Sequence, residues 1–369
     1  MSSRLRTLVE RLWDEPPRGA AEQLAAAAFV GASALFDLAR RGRALVYQLG
    51  LRRGERLSVP VVSIGSLEVG GTGKTPLVLE LTRRLARLGA HPAIVTRGYG
   101  GAAKVAQRVD SAGALLTAPF PGDEPLWLAR AAAELPRFAG VWVAASKRDA
   151  ARAAVAAGAD VLVLDDGFQH WAIARDLDIV TLDAARPIGN GRLLPRGPLR
   201  EPLSALSRAD LIVLAGAPRA SSASSSSSAA ISSPARVPPL SWRGEFSLRA
   251  ICGEAARVGE AASVIVGIAH PERVSSAVEQ LGIEPQVMHR FPDHHAFRRE
   301  EIEPLLTEDR GALWLTTEKD WIRLERLQLP WSRLSVIEQT LRWNEGDADA
   351  RWDALLAKLL EVRKPLLRK

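Results

Sequence analysis

The sequence predicts an α/β fold with a mostly parallel sheet that is covered by helices. Three observations lead to this prediction. Short, almost continuous apolar runs alternate with alanine- and leucine-rich stretches between residues 59 and 214, a glycine-rich turn follows the first run, and polar motifs follow the second and fourth runs. Since ligands bind at the carboxyl ends of parallel strands, these polar motifs mark the expected ligand-binding edge of the sheet.

Near-continuous apolar runs are typical of strands that are buried on both faces. In the first half of the chain they predict strands at residues 59–64, 93–96, 141–144, 161–164, 179–182 and 211–214. The stretches between several of these runs predict helices at residues 76–88, 125–134 and 147–157. In the second half, strands are predicted at 264–268 and 313–316, and helices at 272–281, 299–306 and 348–360.

A glycine-rich turn joins the first predicted strand to a leucine-spaced helix. Its sequence is GGTGKT, from Gly70, Gly71, Thr72 and Gly73 to Lys74 and Thr75. Such a turn points backbone N–H groups and the positive end of a helix dipole at a phosphate. Lys74 can reach the β- and γ-phosphates and Thr75 can ligate Mg²⁺, so the turn predicts a nucleoside triphosphate site. Glu68 stands where the full phosphate-loop motif has its first glycine; the alternative is a chance glycine-rich turn.

Two consecutive aspartates, Asp165 and Asp166, end the fourth predicted strand. A carboxylate beside a phosphate loop holds Mg²⁺ directly or through water. Because side chains alternate along a strand, we expect one aspartate at the metal and the other behind it or toward the substrate. The alternative is an acidic turn without a function.

Three further polar motifs leave alternatives open. The carboxylates of GDEP (122–125) serve either chemistry or the stability of the helix that follows. FPDHH (291–295) is a metal site, an oriented base or a solvated loop, and adjacent histidines, which share no helical face, favour a proton-relay role. The glycine- and proline-rich loop 189–202 either clamps an anion or is a basic surface loop; its charged residues include Arg192, Arg196, Arg200 and Glu201.

Composition limits the class of protein. The chain has 369 residues, a net charge of +7 and a sequence pI of about 10.0, which favour an anionic partner such as a nucleotide, a phospholipid surface or nucleic acid. Its single cysteine, Cys252, excludes a disulfide framework and a multi-cysteine metal site, and indicates a reducing compartment.

The first 56 residues do not resemble a nucleotide-binding fold. An apolar stretch at 24–36 precedes a group of arginines and is shorter than the roughly 20 residues that span a bilayer. It is either an interfacial membrane anchor or a helix packed on the domain behind it. The serine-rich segment after the last predicted strand is a flexible loop or linker. We therefore predict an N-terminal helical segment, a phosphate-loop domain, a linker and a smaller α/β domain, at residues 1–56, 57–216, 217–239 and 240–369.

The ordered motifs resemble those of the tetraacyldisaccharide 4'-kinase (lipid A 4'-kinase) family. The resemblance runs from about residue 24 to residue 360 and depends on the set rather than on any single motif. The motifs are VGGTGKTP (69–76), TRGYGG (96–101), GDEP (122–125), DDGFQH (165–170), GNGRLLPRGPLREP (189–202), FPDHHAF (291–297) and TTEKD (316–320). Members usually have Asn at the position of Ser66 and Ser or Thr at that of Glu68, so this chain departs from the family there.

The resemblance implies a P-loop kinase that uses ATP and Mg²⁺. Its reaction is the transfer of the γ-phosphate to the 4'-hydroxyl of tetraacyldisaccharide 1-phosphate, which gives lipid IVA in lipopolysaccharide biosynthesis. It implies a peripheral or monotopic location on the cytoplasmic face of the bacterial inner membrane, reached through the N-terminal helix. The expected partners are the lipid substrate and the membrane surface, with neither nucleic acid nor an obligate protein partner.

The resemblance also implies roles for individual residues. Asp123 becomes the expected base on the 4'-hydroxyl, with His294 as its partner from another domain, so that the two domains must close to complete the base. The other residues with implied roles serve the metal, the nucleotide or the substrate: Lys74, Thr75, Glu124, Asp165, Asp166, Arg200 and Glu201. The alternative function is a P-loop ATPase of the partitioning or metal-insertion type, which usually has a lysine where this chain has Val69.

Overall fold

The structure is a computed structural model that describes residues 8–9, 11–13, 15–98, 101, 103–109, 121–216, 239–268, 271–293, 295–309 and 312–361. The predicted linker at 217–239 lies outside these residues except for Pro239. The described helices are α1 (Ala20–Gln48), α2 (Lys74–Arg87), α3 (Asp123–Ala131), α4 (Lys147–Ala156), α5 (Pro271–Gln280), α6 (Arg299–Glu308), α7 (Glu318–Leu324) and α8 (Ala348–Glu361). The described strands are β1 (Val61–Ser66), β2 (Pro92–Thr96), β3 (Gln107–Val109), β4 (Gly140–Val143), β5 (Val161–Asp165), β6 (Leu177–Asp183), β7 (Leu211–Ala215), β8 (Leu240–Cys252), β9 (Ala261–Val266), β10 (Glu284–Arg290), β11 (Leu313–Thr317) and β12 (Leu334–Trp343).

The chain forms two compact units, and the first comprises Met1–Val95, Ala154–Arg243 and Trp343–Lys369. Its strands run in the order β8, β7, β6, β1, β5, β2, and each of these neighbours pairs in parallel. Strand β8 begins here and continues into the second unit. These pairings confirm the predicted parallel sheet.

Strand β1 lies between β5 and β6 and is buried along its whole length. Burial on both faces explains why its sequence shows a continuous apolar run rather than an alternating one. The strand also needs a glycine: a Cβ on Gly65 would lie 2.5 Å from the Cβ of Phe168. Because β1 and β5 are neighbours and parallel, the phosphate-loop sequence after β1 and Asp165 at the end of β5 lie at the carboxyl ends of adjacent strands.

The second unit comprises Thr96–Ala153 and Gly244–Arg342. In it, β9 pairs in parallel with β10 and β11, and β11 pairs in parallel with β12. The short strand β3 is antiparallel to β4. Consecutive residues of β11 point to opposite faces, so Trp314 and Leu315 belong to two separate buried clusters.

The two units divide the chain differently from the predicted domains. Residues 96–153, which we assigned to the phosphate-loop domain, belong with 244–342, where helix α3 packs on α7 and Arg130 forms a 2.7 Å ion pair with Glu325. The C-terminal helix α8 belongs to the first unit instead, since Arg84 of α2 forms ion pairs with Asp349 and Asp353. Contacts between such distant segments have no signal in a single sequence.

Helix α1 has two different faces. One face is half-buried: Ser33 Oγ donates to the Leu193 carbonyl oxygen at 3.0 Å, and the Tyr47 ring lies edge-on to Trp171 at 5.4 Å. The other face is apolar and exposed; its leucines include Leu24, Leu35, Leu38 and Leu45, which are 74%, 68%, 66% and 52% exposed.

Helix α1 is also longer than the apolar stretch that predicted it. At 29 residues it is long and apolar enough, by length and composition, to cross a membrane. The prediction that this segment is too short to span is therefore wrong, because the helix continues beyond residues 24–36 at both ends, through residues 20–23 and 37–48.

Candidate active site

The phosphate-loop sequence forms a tight turn at the start of helix α2. Gly70 and Gly73 have φ angles of 116° and 75°, a region that favours glycine. A Cβ on Gly73 would also lie 2.6 Å from the Cβ of Ala215 and 2.7 Å from Trp242 Cζ2. Lys74 and Thr75 then begin the helix, so the loop leads into a helix N-terminus, as an anion site of this type requires.

The Lys74 ammonium group lies over this turn rather than in solvent. Its Nζ is 3.5 Å from the Gly70 carbonyl oxygen and 3.8 Å from Asp166 Oδ1. Asp166 in turn accepts a hydrogen bond from Arg200 Nη1 at 2.7 Å. The structure thus brings together three residues that the sequence predicted for the site, with one carboxylate between two cations.

The two aspartates occupy different positions. Asp165 is the buried last residue of β5 and is the strand partner of Ile64, whereas Asp166 follows the strand with a φ angle of 49°. A left-handed φ in a residue other than glycine costs energy and is often found at functional sites. It turns the Asp166 carboxylate toward Lys74 and Arg200.

The basic loop at 189–202 runs beside the phosphate loop. The Val69 N–H donates to the Pro198 carbonyl oxygen at 2.9 Å, and the Arg200 N–H donates to that of Leu67 at 2.6 Å. Glu201 is only 2% exposed, and both of its carboxylate oxygens accept from Arg208 Nη2, at 3.0 and 2.8 Å. In this unit Arg200 therefore contacts a site carboxylate, whereas Glu201 anchors the loop.

Glu68 is a candidate site residue that sequence reasoning missed, although its place at the missing glycine was a signal. The residue is 6% exposed, and its Oε1 has no hydrogen-bond partner in the part of the chain that the structure describes. Burial raises the pKa of Glu68 from its ordinary value of 4.5 to about 7; Asp183 adds to this rise, while Arg186 and Lys74 oppose it. An acidic side chain is therefore held inside the entry to the phosphate loop at a desolvation cost.

The GDEP motif begins helix α3 in the second unit. The carboxylate of Asp123 is 15% exposed, and its Oδ2 lies 3.5 Å from Arg323 Nε. Glu124 forms an ion pair with Lys319 of the TTEKD motif. Both carboxylates of GDEP are therefore paired with cations of helix α7. The sequence did not indicate these pairs.

The FPDHHAF motif lies in this second unit as well. His295 Nε2 is 2.9 Å from Glu301 Oε2, and its ring stacks on Phe291 with centroids 4.9 Å apart. His294, the expected partner of Asp123, lies outside the described residues. Because GDEP and residues 291–297 belong to one unit, the structure does not support the expectation that they come from different domains.

Three oxygen-bearing side chains of the first unit have the chemistry that Mg²⁺ requires. The Thr75 hydroxyl and the carboxylates of Asp165 and Asp166 are hard oxygen donors. Within the described ranges, no group of three or more His, Cys, Asp and Glu side chains is arranged to hold a metal ion. Mg²⁺ at nucleotide sites uses one or two carboxylates together with substrate phosphates, so these donors fit it without such a group.

The pKa of Glu68 gives a testable pH dependence. Because its folded-state pKa lies above its unfolded-state value, its contribution to stability is fully present below about pH 4.5 and is lost as the pH rises through about 7. We expect Glu68→Gln to change the free energy of unfolding little at pH 5 and to raise it above that of the wild type at pH 8 by up to about 3 kcal/mol, which raises the thermal midpoint at pH 8.

The measurement is thermal unfolding of both proteins at pH 5 and pH 8. Glu279→Gln, at an exposed position of α5, is the matched control and should give the same difference from wild type at both pH values. A Glu68→Gln effect that does not grow between pH 5 and pH 8 would contradict this assignment.

Comparison with known proteins agrees with the motifs. The family model of tetraacyldisaccharide-1-P 4'-kinase matches residues 25–360. Two relatives named tetraacyldisaccharide 4'-kinase come from Anaeromyxobacter dehalogenans strain 2CP-C and Rhodospirillum centenum. The first is 44% identical over 333 residues, with 86% of each chain covered. The second is 38% identical over 353 residues, with 94% of this chain and 95% of the relative covered.

A solved structure is similar too. The crystal structure of LpxK from Aquifex aeolicus in complex with ATP has a TM-score of 0.70 and 26% sequence identity, and the match covers 91% of this chain and 99% of that one. Sequence, motif order and fold lead to one conclusion: this chain belongs to the tetraacyldisaccharide-1-P 4'-kinase family.

Proposed function

We propose that this protein is a lipid kinase that transfers the γ-phosphate of ATP to the 4'-hydroxyl of tetraacyldisaccharide 1-phosphate, giving lipid IVA. The observation that carries the proposal is the GGTGKT turn with Lys74 beside Asp166, in a chain whose relatives are named for this activity. The P-loop ATPase alternative has no comparable support.

Phosphoryl transfer requires positioning and charge neutralisation more than covalent chemistry. The turn would hold the triphosphate through its backbone N–H groups, with the Lys74 charge beside it. Thr75, Asp165 and Asp166 would hold Mg²⁺, which when bound neutralises charge on the β- and γ-phosphate oxygens. Glu124, ion-paired with Lys319, is a further candidate ligand. Arg200, bonded to Asp166, would add a positive charge to the same edge of the sheet.

Asp123 is the proposed general base, with His294 as its proposed partner. Transfer to a sugar hydroxyl needs a group that accepts its proton as attack proceeds. The Asp123 carboxylate begins helix α3 and is partly accessible, which suits a base that must meet a substrate.

Helix α1 is the proposed membrane contact. Its half-buried face is fixed to the first unit through Ser33 and Arg43, whose Nη2 donates to the Gln169 carbonyl oxygen at 3.0 Å. The opposite, leucine-rich face is exposed along the same helix. A helix that is packed along one side and apolar along the other suits a monotopic position in the membrane interface, with arginines at the headgroups. We place it on the cytoplasmic face of the inner membrane, where ATP is available.

Asp123→Asn tests the proposed base. We expect kcat for phosphate transfer from γ-labelled ATP to the lipid in mixed micelles to fall by about 10²- to 10⁴-fold, because the amide cannot accept the proton. Asp149→Asn is the matched control, since Asp149 is an exposed aspartate in the first turn of helix α4. If both variants kept wild-type kcat, Asp123 would serve helix stability alone.

Replacing the exposed leucines tests the membrane contact. Leu35→Gln, Leu38→Gln and Leu45→Gln together should weaken co-sedimentation with anionic phospholipid vesicles by at least about tenfold, since each leucine would lose roughly 1.5–3 kcal/mol of apolar burial in the interface. The unfolding midpoint should hardly change, because these side chains are exposed in the protein.

The control for this variant changes three exposed apolar residues elsewhere, Leu88→Gln, Val105→Gln and Val258→Gln. It should bind vesicles as the wild type does. Equal vesicle binding by the wild type and the leucine variant would show that this face of α1 is not the membrane contact.

A further inference from the structure

We propose that Arg323 is the positioning residue of the proposed base: its guanidinium group holds the Asp123 carboxylate in place against the FPDHHAF segment. This inference rests on the proposed function, since it assumes that Asp123 accepts the proton of the lipid hydroxyl. All of the residues that carry it lie in the second unit.

The guanidinium group of Arg323 contacts three other segments of the chain. Nη1 donates to the His295 carbonyl oxygen at 3.1 Å, and Nη2 donates to the Gly267 carbonyl oxygen at 3.2 Å. Nε lies 3.5 Å from Asp123 Oδ2. Its side chain is only 8% exposed, so these contacts form in an environment with little water.

Asp320 fixes the orientation of this guanidinium group. One oxygen of its fully buried carboxylate accepts from Arg323 Nη2 at 2.6 Å. The other accepts from the Gly267 N–H at 3.1 Å and from the Thr317 hydroxyl at 2.8 Å. Burial raises the pKa of the Asp320 carboxyl and Arg323 opposes this rise, so the aspartate and the arginine need each other.

The planar guanidinium group is suited to hold several partners at once from one fixed position. Its donors point in fixed directions, and its carbon atom lies 5.5 Å from the centre of the Phe297 ring, so that the group is held on its face as well as at its edges. Three of its five N–H groups donate to His295, Gly267 and Asp320, and its Nε faces the Asp123 carboxylate at 3.5 Å as an ion pair. A lysine could supply the charge, but it could not reach the same set of partners from one fixed position.

The contact with Arg323 affects the position of the proposed base as well as the stability of the fold. Asp123 is the first residue of helix α3, and its carboxylate oxygen Oδ2 lies 3.5 Å from Arg323 Nε. Arg323 ties that carboxylate to the backbone of residue 295, which lies next to His294 in the motif. Since a displacement of about 1 Å can cost a hundredfold in rate, fixing the base affects kcat directly.

The test compares Arg323→Met with its parent in an Asp320→Asn background, which avoids leaving a buried carboxylate without its cation. Against Asp320→Asn alone, we expect kcat for lipid phosphorylation to fall about 10- to 100-fold, while the KM values for ATP and lipid stay within about threefold. Arg323→Lys in the wild-type background should show an intermediate loss.

Arg130→Met is the matched control, because Arg130 joins α3 to Glu325 without contact to Asp123, and its kcat should match the wild type.

A double-mutant cycle separates positioning from a structural role. If Arg323 acts through Asp123, adding Arg323→Met to Asp123→Asn, again with Asp320→Asn, should cost no further kcat. An additive loss, a loss confined to KM, or an unchanged kcat would each overturn the proposal. If Asp123→Asn itself retained full activity, the proposed base would fail instead, so the two failures are distinguishable.

Discussion

The placement of Asp166 between Lys74 and Arg200 is the interaction on which the rest of the candidate site depends. A phosphate loop needs a lysine whose charge is available to a triphosphate. Asp166 lies 3.8 Å from the Lys74 ammonium group and 2.7 Å from the Arg200 guanidinium group. The left-handed φ of Asp166 is the backbone cost of placing a carboxylate there.

This interaction links the phosphate loop to the basic loop at 189–202 and so to the N-terminal helix. The basic loop pairs with the chain at Leu67 and Val69, and the carbonyl oxygen of Leu193 in the same loop accepts from Ser33 of α1. A proposed membrane contact and a proposed nucleotide site thus share one supporting segment. Under the proposed function, this segment would keep the reacting groups near the depth of the lipid headgroups.

In the second unit, too, a charged side chain lies between two partners of opposite charge, but the signs are reversed. In the first unit a carboxylate holds two cations, whereas in the second the Arg323 cation lies between the carboxylates of Asp123 and Asp320. Buried charges are tolerated because each has a partner of opposite sign and further hydrogen bonds. Glu68 differs, because its buried Oε1 has no hydrogen-bond partner within the described chain. Burial raises the pKa of its carboxyl to about 7.

The sequence predicted those features that depend on local pattern. Strand β1, the glycine turn and Asp165 were found because burial on both faces and phosphate binding each require particular residues in a fixed order. The pairing of Asp123 with Arg323, the burial of Glu201 and the grouping of residues 96–153 with 244–342 were missed, since each depends on contacts between distant segments. The length of α1 was underestimated because alanines carry a weak apolar signal but form helices well.

The most direct test of the 4'-kinase activity offers the wild-type protein γ-labelled ATP with one of two acceptors in mixed micelles. One acceptor is tetraacyldisaccharide 1-phosphate, and the other is the same lipid with its 4'-hydroxyl converted to a methyl ether. A lipid 4'-kinase should give labelled lipid from the first acceptor and none from the second. Release of labelled inorganic phosphate without lipid, and no labelled lipid from either acceptor, would contradict the 4'-kinase activity and favour the ATPase alternative.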